Sequence, residues 1–317
     1  MEIQQVTGAI LGLAIGDGLG VPVEFRDREI LKRHPVVDMR EFGAHHQPRG
    51  TWSDDSSLAF CLAESLVSEE GFDYKDIANR FVLWYTKAYW TPHKRVFDIG
   101  NTTGHAINRL INGNEPLTAG DDDEYSNGNG SLMRILPLVF FLKKKNIDER
   151  FEIVKNISSI THKHIRSVIC CFYYVEFALQ LLEKKDKYLI YKDLQKDITL
   201  FLQNKNIVSS EIAKLNRLLK EDISLLEEDS IRSSGYVLHT LEASIWCLLN
   251  SNSYSETVLK AVNLGDDTDT TGCVAGGLAG ILYQEKDIPS EWIKQLVKSE
   301  NIKELAVKVF EKAREIG

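Results

Sequence analysis

Two short stretches gather oxygen-bearing side chains densely enough to bind a hard cation. One is Ser53-Asp54-Asp55 in GTWSDDSSLAFCLAESLV (residues 50–67). The other is Asp266-Asp267-Thr268-Asp269-Thr270-Thr271 in NLGDDTDTTGCVAGGLAG (residues 263–280). Carboxylates packed this closely repel one another, so something must reward holding them together. Serine as an N-cap with acids in the first turn suits the positive end of a helix dipole, and such a cap needs no ligand. Alternatively, two such helix tips facing one another offer Ser53, Asp54, Asp55, Asp267, Asp269 and Thr270 as oxygen ligands. That set is enough for two Mg2+ or Mn2+ ions about 3.5–4 Å apart. Neither stretch has a histidine or cysteine beside it, which argues against zinc. Asp267-x-Asp269-x-Thr271-Gly272 matches only the first half of an EF-hand calcium loop, because Leu278 stands at the twelfth position where the bidentate glutamate belongs.

Two further loops carry polar groups ahead of helical stretches. In SNGNGSLMRILPL (residues 126–138) the glycines around Asn129 leave backbone N–H groups exposed ahead of a helix. That geometry suits phosphate, although most such sequences are plain turns. In FDIGNTTGHAI (residues 97–107) Asp98 and Asn101 precede another helix, either as functional groups or as an ordinary polar loop with a cap.

The elements that must carry these loops are helical almost throughout. Ile302, Leu305, Ala306, Val309, Phe310 and Ala313 recur on one helix face, with lysines and glutamates opposite. Asp73 opens another helix ahead of Ile77, Phe81, Trp84 and Tyr85. A serine at Ser209 or Ser210 caps a third, through Ile212, Leu215, Leu218, Leu219 and Ile223. Sustained apolar/polar alternation is hard to find, so the fold is expected to be all-α, a single compact domain. Gly272, Gly276, Gly277 and Gly280 each lower helix propensity by about 1 kcal/mol relative to alanine. That cost makes sense where another backbone passes close by. Seven prolines fall mostly between helices; Pro137 sits inside an apolar run, where it starts or kinks its helix. No linker or fixed-period repeat divides the chain.

Composition narrows the function classes. A chain that is 43% hydrophobic and 26% charged can bury a sizeable core. A net charge of −8 argues against nucleic acid or an anionic membrane as main partner. Five cysteines without a CxxC pair point to buried thiols in a reducing compartment. The N-terminal MEIQQVTGAILGLAIGDGLG lacks a basic region and meets an aspartate after a short apolar run. It is read as neither signal peptide nor membrane span, so a cytoplasmic location is expected.

Taken together, seven stretches resemble the ADP-ribosylglycohydrolase family. They are GAILGLAIGDGLGVPVEF (8–25), GTWSDDSSLA (50–59), DIGNTT (98–103), GNGSLMRILPL (128–138), ITH (160–162), SGYVLHTLEASIWCL (234–248) and GDDTDTTGCVAGGLAG (265–280). They occur in family order and span nearly the whole chain. DIGNTT and GYVLHTL look most like the dinitrogenase reductase-activating branch, which removes ADP-ribose from arginine. The resemblance implies a compact orthogonal helical domain with a binuclear Mg2+ or Mn2+ centre held by Ser53, Asp54, Asp55, Asp267, Asp269 and Thr270. Ser53 replaces the threonine many members carry. Asp266 stands where a second glycine is usual; it adds a charge beside the site and could alter metal affinity or backbone conformation.

On matching positions, Asp98 would face the ribose–guanidinium bond with Asn101 nearby, and Asp55 and Asp269 would serve catalysis as ligands. Glu24 matches an acidic position linked to gating or to the reacting water, with a structural role nearly as well supported. Asn129, Gly130, Ser131, Met133 and His162 would line the diphosphate, although His162 also suits a helix cap. Tyr236 would flank the adenosine side or the entrance, or lie in the core. The implied substrate is an ADP-ribosylated protein and the product ADP-ribose, with a monomeric enzyme expected. Within the same fold the bond could instead be O-linked to serine or threonine, or lie in a free ADP-ribose derivative. A catalytically silent ADP-ribose-binding member is a further alternative, and a metal-dependent phosphatase is disfavoured because histidine ligands are missing. Residues 27–49 and 187–230 match least and are expected to shape target choice.

Overall fold

A computed structural model describes residues 1–316 of the chain. Sixteen α-helices are joined by short loops and 3-10 turns, and no strand occurs among the described residues. The chain opens with α1 (Ile3–Gly20), α2 (Arg28–Arg33), α3 (Asp54–Ser68) and α4 (Tyr74–Lys87). Next come α5 (Asn101–Ile111), α6 (Pro116–Ala119), α7 (Ile147–Ser159) and α8 (Ile165–Leu182). The third quarter holds α9 (Lys187–Asn204), α10 (Ser209–Lys214) and α11 (Asn216–Leu219). The last holds α12 (Val237–Leu249), α13 (Tyr254–Val262), α14 (Thr268–Tyr283), α15 (Ser290–Gln295) and α16 (Ser299–Ile316).

The centre of the molecule is a glycine seam between α1 and α14. Glycines at every fourth position of α1 meet glycines of α14 in reverse order. A Cβ at Gly8 would lie 2.4 Å from the Gly280 carbonyl oxygen, one at Gly12 2.5 Å from that of Gly276, and one at Gly16 2.0 Å from that of Gly272. The two backbones therefore touch, which explains Gly272, Gly276 and Gly280 of α14, whose partners on α1 carry the same signal; Gly277 instead faces the Leu136 and Tyr174 side chains. From Gln5 onward every residue of α1 is buried. α12 and α13 flank α14, and α16 lies across α1 and α3. α1 and α8 are long and apolar enough to cross a membrane, yet here both lie largely inside the fold.

Most of the expected helix faces and caps hold, with corrections at Tyr85, at Ser209 and Ser210, and at Pro137. Ile302, Leu305, Ala306, Val309 and Ala313 of α16 are buried, and Asp73 caps α4 by accepting from the Lys75 and Asp76 amides at 2.8 and 3.1 Å. Tyr85, however, is exposed on α4. The helix expected after Ser209 and Ser210 breaks at Leu215 into α10 and α11, and both serines lie inside α10 rather than capping it. Its apolar residues through Ile223 are buried all the same. Pro137 enters a short 3-10 turn, Leu136–Phe141. The glycine loop around Asn129 thus leads into turns, not directly into an α-helix.

Candidate active site

At the first helix tip, Ser53 is the N-cap of α3 and its Oγ accepts from the Asp55 amide at 3.2 Å. The cap reading is correct for this residue. The Ser53 and Ser56 N–H groups of the tip go to Asp17, which reaches over from α1. Its carboxylate accepts from the Ser53 amide at 2.9 and 3.0 Å, from the Ser56 amide at 3.1 Å and from Ser56 Oγ at 2.5 Å. Burial pushes the Asp17 carboxyl up to about 7, against the pull of these hydrogen bonds. Because Asp17 satisfies the tip, Asp54 and Asp55 need not cap it.

The second tip follows a different logic. Asp267 stands at the N-cap of α14 but makes no capping bond. Instead its Oδ2 accepts from Asn129 Nδ2 at 2.7 Å, and Asn129 Nδ2 also donates to Thr240 Oγ1 at 2.8 Å. Asp269 Oδ1 accepts from the Thr270 amide at 2.9 Å. The tips meet: Thr270 Oγ1 donates to Asp55 Oδ2 at 3.5 Å across 215 positions of sequence. The α1–α14 seam sets this approach, since a Cβ at Gly20 would lie 2.3 Å from the Asp269 Cα.

Three carboxylate oxygens in this cluster, Asp55 Oδ1, Asp267 Oδ1 and Asp269 Oδ2, are buried with no hydrogen-bond partner. Buried polar atoms almost always find partners, so such a convergence is the signature of cation ligands. Burial raises the carboxyls of Asp54, Asp55 and Asp269 well above the usual range, and mutual repulsion adds to it. Asp267 rises as well, also through burial. Divalent cations reverse that penalty, so the residues present fit a binuclear oxygen site.

Asp266 behaves otherwise. It is exposed and adopts left-handed backbone, φ 61°, the region where the usual glycine costs least. Its amide donates to the Arg26 carbonyl at 2.9 Å, and its carbonyl accepts from the Phe25 amide at 2.7 Å. Of the two effects expected of Asp266, the one on backbone conformation is the one seen, and its side chain is exposed.

A cleft of about 280 Å³ opens beside the two tips, lined by Asp54, Asp55, Asp267 and Thr270. Glu24, Asp98, Asn101, Asn129, Gly130, Met133 and His162 complete its walls. Asp98 has φ 51°, a strained conformation for a non-glycine residue. Burial raises its carboxyl. Glu24 is only 6% exposed, and burial pushes it up to about 7. Its Oε2 is held by His45 Nε2, which brings a histidine to the acids after all. The expectation of none nearby considered sequence neighbours alone.

Behind the glycine loop, the Gly130 and Ser131 amides donate to no protein group among the described residues. Fully buried Arg134 holds the Gly130 carbonyl and the Ile157 carbonyl, its guanidinium 4.9 Å from the Phe81 ring centroid. No carboxylate forms an ion pair with it among the described residues. A peptide C=O points opposite to the N–H that follows it, so this grip turns the Ser131 amide away from Arg134. The Ser131 hydroxyl faces the core and accepts from Ser158 Oγ at 3.0 Å, and Ser131 is buried outside the cleft lining, whereas its neighbour Gly130 lies in it. His162 Nδ1 lies 2.8 Å from Thr161 Oγ1, and burial, with Arg134 nearby, depresses the ring to about 3, leaving it neutral. Tyr236 caps α12 outside the cleft lining, half-buried, with Arg166 5.8 Å from its ring. A wider cavity of about 750 Å³ adjoins the cleft at Phe25 but contains none of Asp54, Asp55, Asp267 and Asp269.

The ADP-ribosylglycohydrolase sequence profile matches residues 2–316. The chain belongs to the ADP-ribosylglycohydrolase family. It is similar to the ADP-ribosylarginine hydrolase Tri1 of Pseudomonas putida (strain GB-1), 35% identical over 99% of this chain and 80% of that protein. The ADP-ribosyl-[dinitrogen reductase] glycohydrolase of Rhodospirillum rubrum is 28% identical over 91% of this chain and 89% of its own. A solved structure, an ADP-ribosylglycohydrolase-related protein complex, superposes with a TM-score of 0.80 at 29% identity, covering 98% of this chain and 99% of that one.

Sequence reasoning about this ADP-ribosylglycohydrolase missed three residues. Asp17 left a signal, a lone acid in an apolar, glycine-rich helix. So did Arg134, a lone cation in LMRILPL. His45 lies in an aperiodic loop and left none.

Proposed function

We propose that this ADP-ribosylglycohydrolase hydrolyses ADP-ribosylated protein side chains, with the N-glycosidic bond to arginine as its main target. The reading rests on one observation above all: two helix tips remote in sequence converge with three unpartnered buried carboxylate oxygens. The name of the Tri1 relatives, ADP-ribosylarginine hydrolase, supports arginine as the linkage.

Ser53, Asp54, Asp55, Asp267, Asp269 and Thr270 would hold two Mg2+ or Mn2+ ions. When bound, these ions supply Lewis acidity and orient the ribose hydroxyls and the attacking water. Asn129 keeps Asp267 aimed, and Asp17 keeps the α3 tip rigid. Asp98 and Glu24 stand on the same wall, where carboxylates can grip a departing guanidinium through charge-assisted hydrogen bonds. The C1″–N bond breaks as water oxygen bonds to C1″, and a proton from that water ends on the guanidine nitrogen. Glu24, poised near neutrality and held by His45, is suited to carry it. The free Gly130 amide on the cleft wall, backed by the buried Arg134 charge, suits a diphosphate.

The decisive experiment incubates the protein and Mg2+ with arginine- and serine-linked ADP-ribosyl peptides and measures free ADP-ribose by mass spectrometry. Release from arginine is expected to dominate; release from serine alone would move the assignment to O-linked substrates. Asp55→Asn and Asp267→Asn are each expected to abolish release with the helical circular dichroism unchanged. Full activity in either would remove the cation-based mechanism.

A further inference from the structure

We infer that the cavity of about 750 Å³ beside the cleft receives the polypeptide that carries the modified side chain, bound as an extended segment. The inference rests on the hydrolase reading above and names the surface that distinguishes one ADP-ribosylated protein from another.

The first support is continuity. Phe25 is a wall of both spaces. Gly235 lines the cleft and Ser234 the cavity; Asp267 lines the cleft and Asp266 the cavity. The shared wall follows Glu24 in the chain, on the side of the cleft assigned to the departing guanidine. Gly130 and His162, on the side assigned to the diphosphate, take no part in the cavity. A polypeptide joined to the ribose through one side chain must lie next to the guanidine side. The cavity is also of a size typical of ligand clefts, which hold about 300–1,000 Å³. Asp27, Ile30 and Asp229 of its lining fall in the stretches expected to shape target choice, 27–49 and 187–230.

The second support is the way Phe25 is presented. Its side chain is 69% exposed, and its φ of 63° is an outlier for a residue of that bulk. Two backbone bonds fix the turn: the Phe25 amide donates to the Asp266 carbonyl at 2.7 Å and the Asp266 amide to the Arg26 carbonyl at 2.9 Å. Gly265 permits the approach, since at φ 80° a Cβ there would lie 2.7 Å from the Arg28 amide nitrogen. Strain kept in place to hold an aromatic ring in water, at the junction of two cavities, marks a contact surface.

The third is charge and backbone. Arg26, Arg28 and Arg232 line the cavity together with Asp27, Asp229 and Asp266, and burial lowers the His239 ring, which keeps it neutral. A lining with equal numbers of each sign does not select an anion such as a second nucleotide; it suits a peptide, whose backbone is polar and uncharged. Arg28 stiffens the walls by donating to the carbonyls of Leu264, Glu228 and Ile231 at 2.7, 2.6 and 2.5 Å. Arg232 leaves both its backbone N–H and its C=O without a protein partner among the described residues, and an extended chain pairs with such groups.

The test gives the full-length protein, with Mg2+, two arginine conjugates: ADP-ribosylarginine as the free amino acid and the same residue inside a short peptide. The peptide is expected to show a kcat/KM at least ~10-fold higher. Ile30→Trp fills the cavity away from the cleft; it should erase that preference through KM while hydrolysis of the free conjugate stays within about 3-fold. A second measurement needs no cavity variant to fold. A photoreactive side chain beside the modified arginine, in a peptide bound to Asp55→Asn protein, is expected to crosslink to residues 25–30 or 231–234. Equal kcat/KM on the two conjugates, a preference that survives Ile30→Trp, or crosslinks only to other faces overturns the inference and leaves the hydrolase reading intact. Hydrolysis of neither conjugate sinks both.

Discussion

Asp17 and Asn129 act through other residues, and their variants separate positioning from coordination. Asp17→Asn removes the charge that collects three hydrogen bonds from Ser53 and Ser56. The expected result is a roughly 10–100-fold loss of Mg2+ affinity, the range found for supporting residues around metals. Titration calorimetry checks it, and unchanged affinity would show that the α3 tip holds its shape unaided. Asn129→Ala should lower affinity similarly by freeing Asp267 Oδ2. Both residues are within reach of sequence reasoning, but only Asn129 lay in a loop with an evident chemical pattern.

The glycine seam makes a sharper demand on helix packing. Gly16→Ala places a Cβ 2.0 Å from the Gly272 carbonyl oxygen, a backbone atom that cannot step aside. About 3 kcal/mol of stability should be lost in chemical denaturation, with weaker metal binding as α1 and α14 move apart. Gly104→Ala in α5 is the contrast, because its nearest neighbour is Ile99 Cδ1 at 3.7 Å. That change should gain roughly 0.5–1 kcal/mol from helix propensity alone. Equal effects at the two positions would mean that backbone contact is not what the α1 glycines provide. The period of four is plain in sequence; that α1 and α14 face each other is not.

The molecule as a whole buries several carboxylates on one cleft, and that sets its response to pH. Burial raises Asp54, Asp55 and Asp269 well above the usual range, and takes Asp17 and Glu24 up to about 7. For an acid whose folded pKa is raised, the stabilisation is fully present below the unfolded value near 4. It is lost as pH rises through the folded value. Protein stripped with EDTA should therefore melt at a lower temperature at pH 8 than at pH 5.5. Saturating Mg2+ should reverse the trend, since cations bind the ionised acids and protons compete with them. Thermal melts at the two pH values, with and without metal, decide it; a metal-free melting temperature independent of pH would contradict the burial argument.

Helix type, the acids at two helix tips, the cap at Ser53 and the need for close backbone contact at the α14 glycines all follow from local pattern. They depend on residues within a turn or two of each other, and periodicity and capping chemistry act at that range. Packing alone determined that the tips of α3 and α14 share one cleft, that Asp17 satisfies the first tip, and that Asp266 turns outward. It also brought His45 to Glu24. These pairings join groups far apart in the chain, and they depend on where touching backbones place each helix end, which no local spacing encodes.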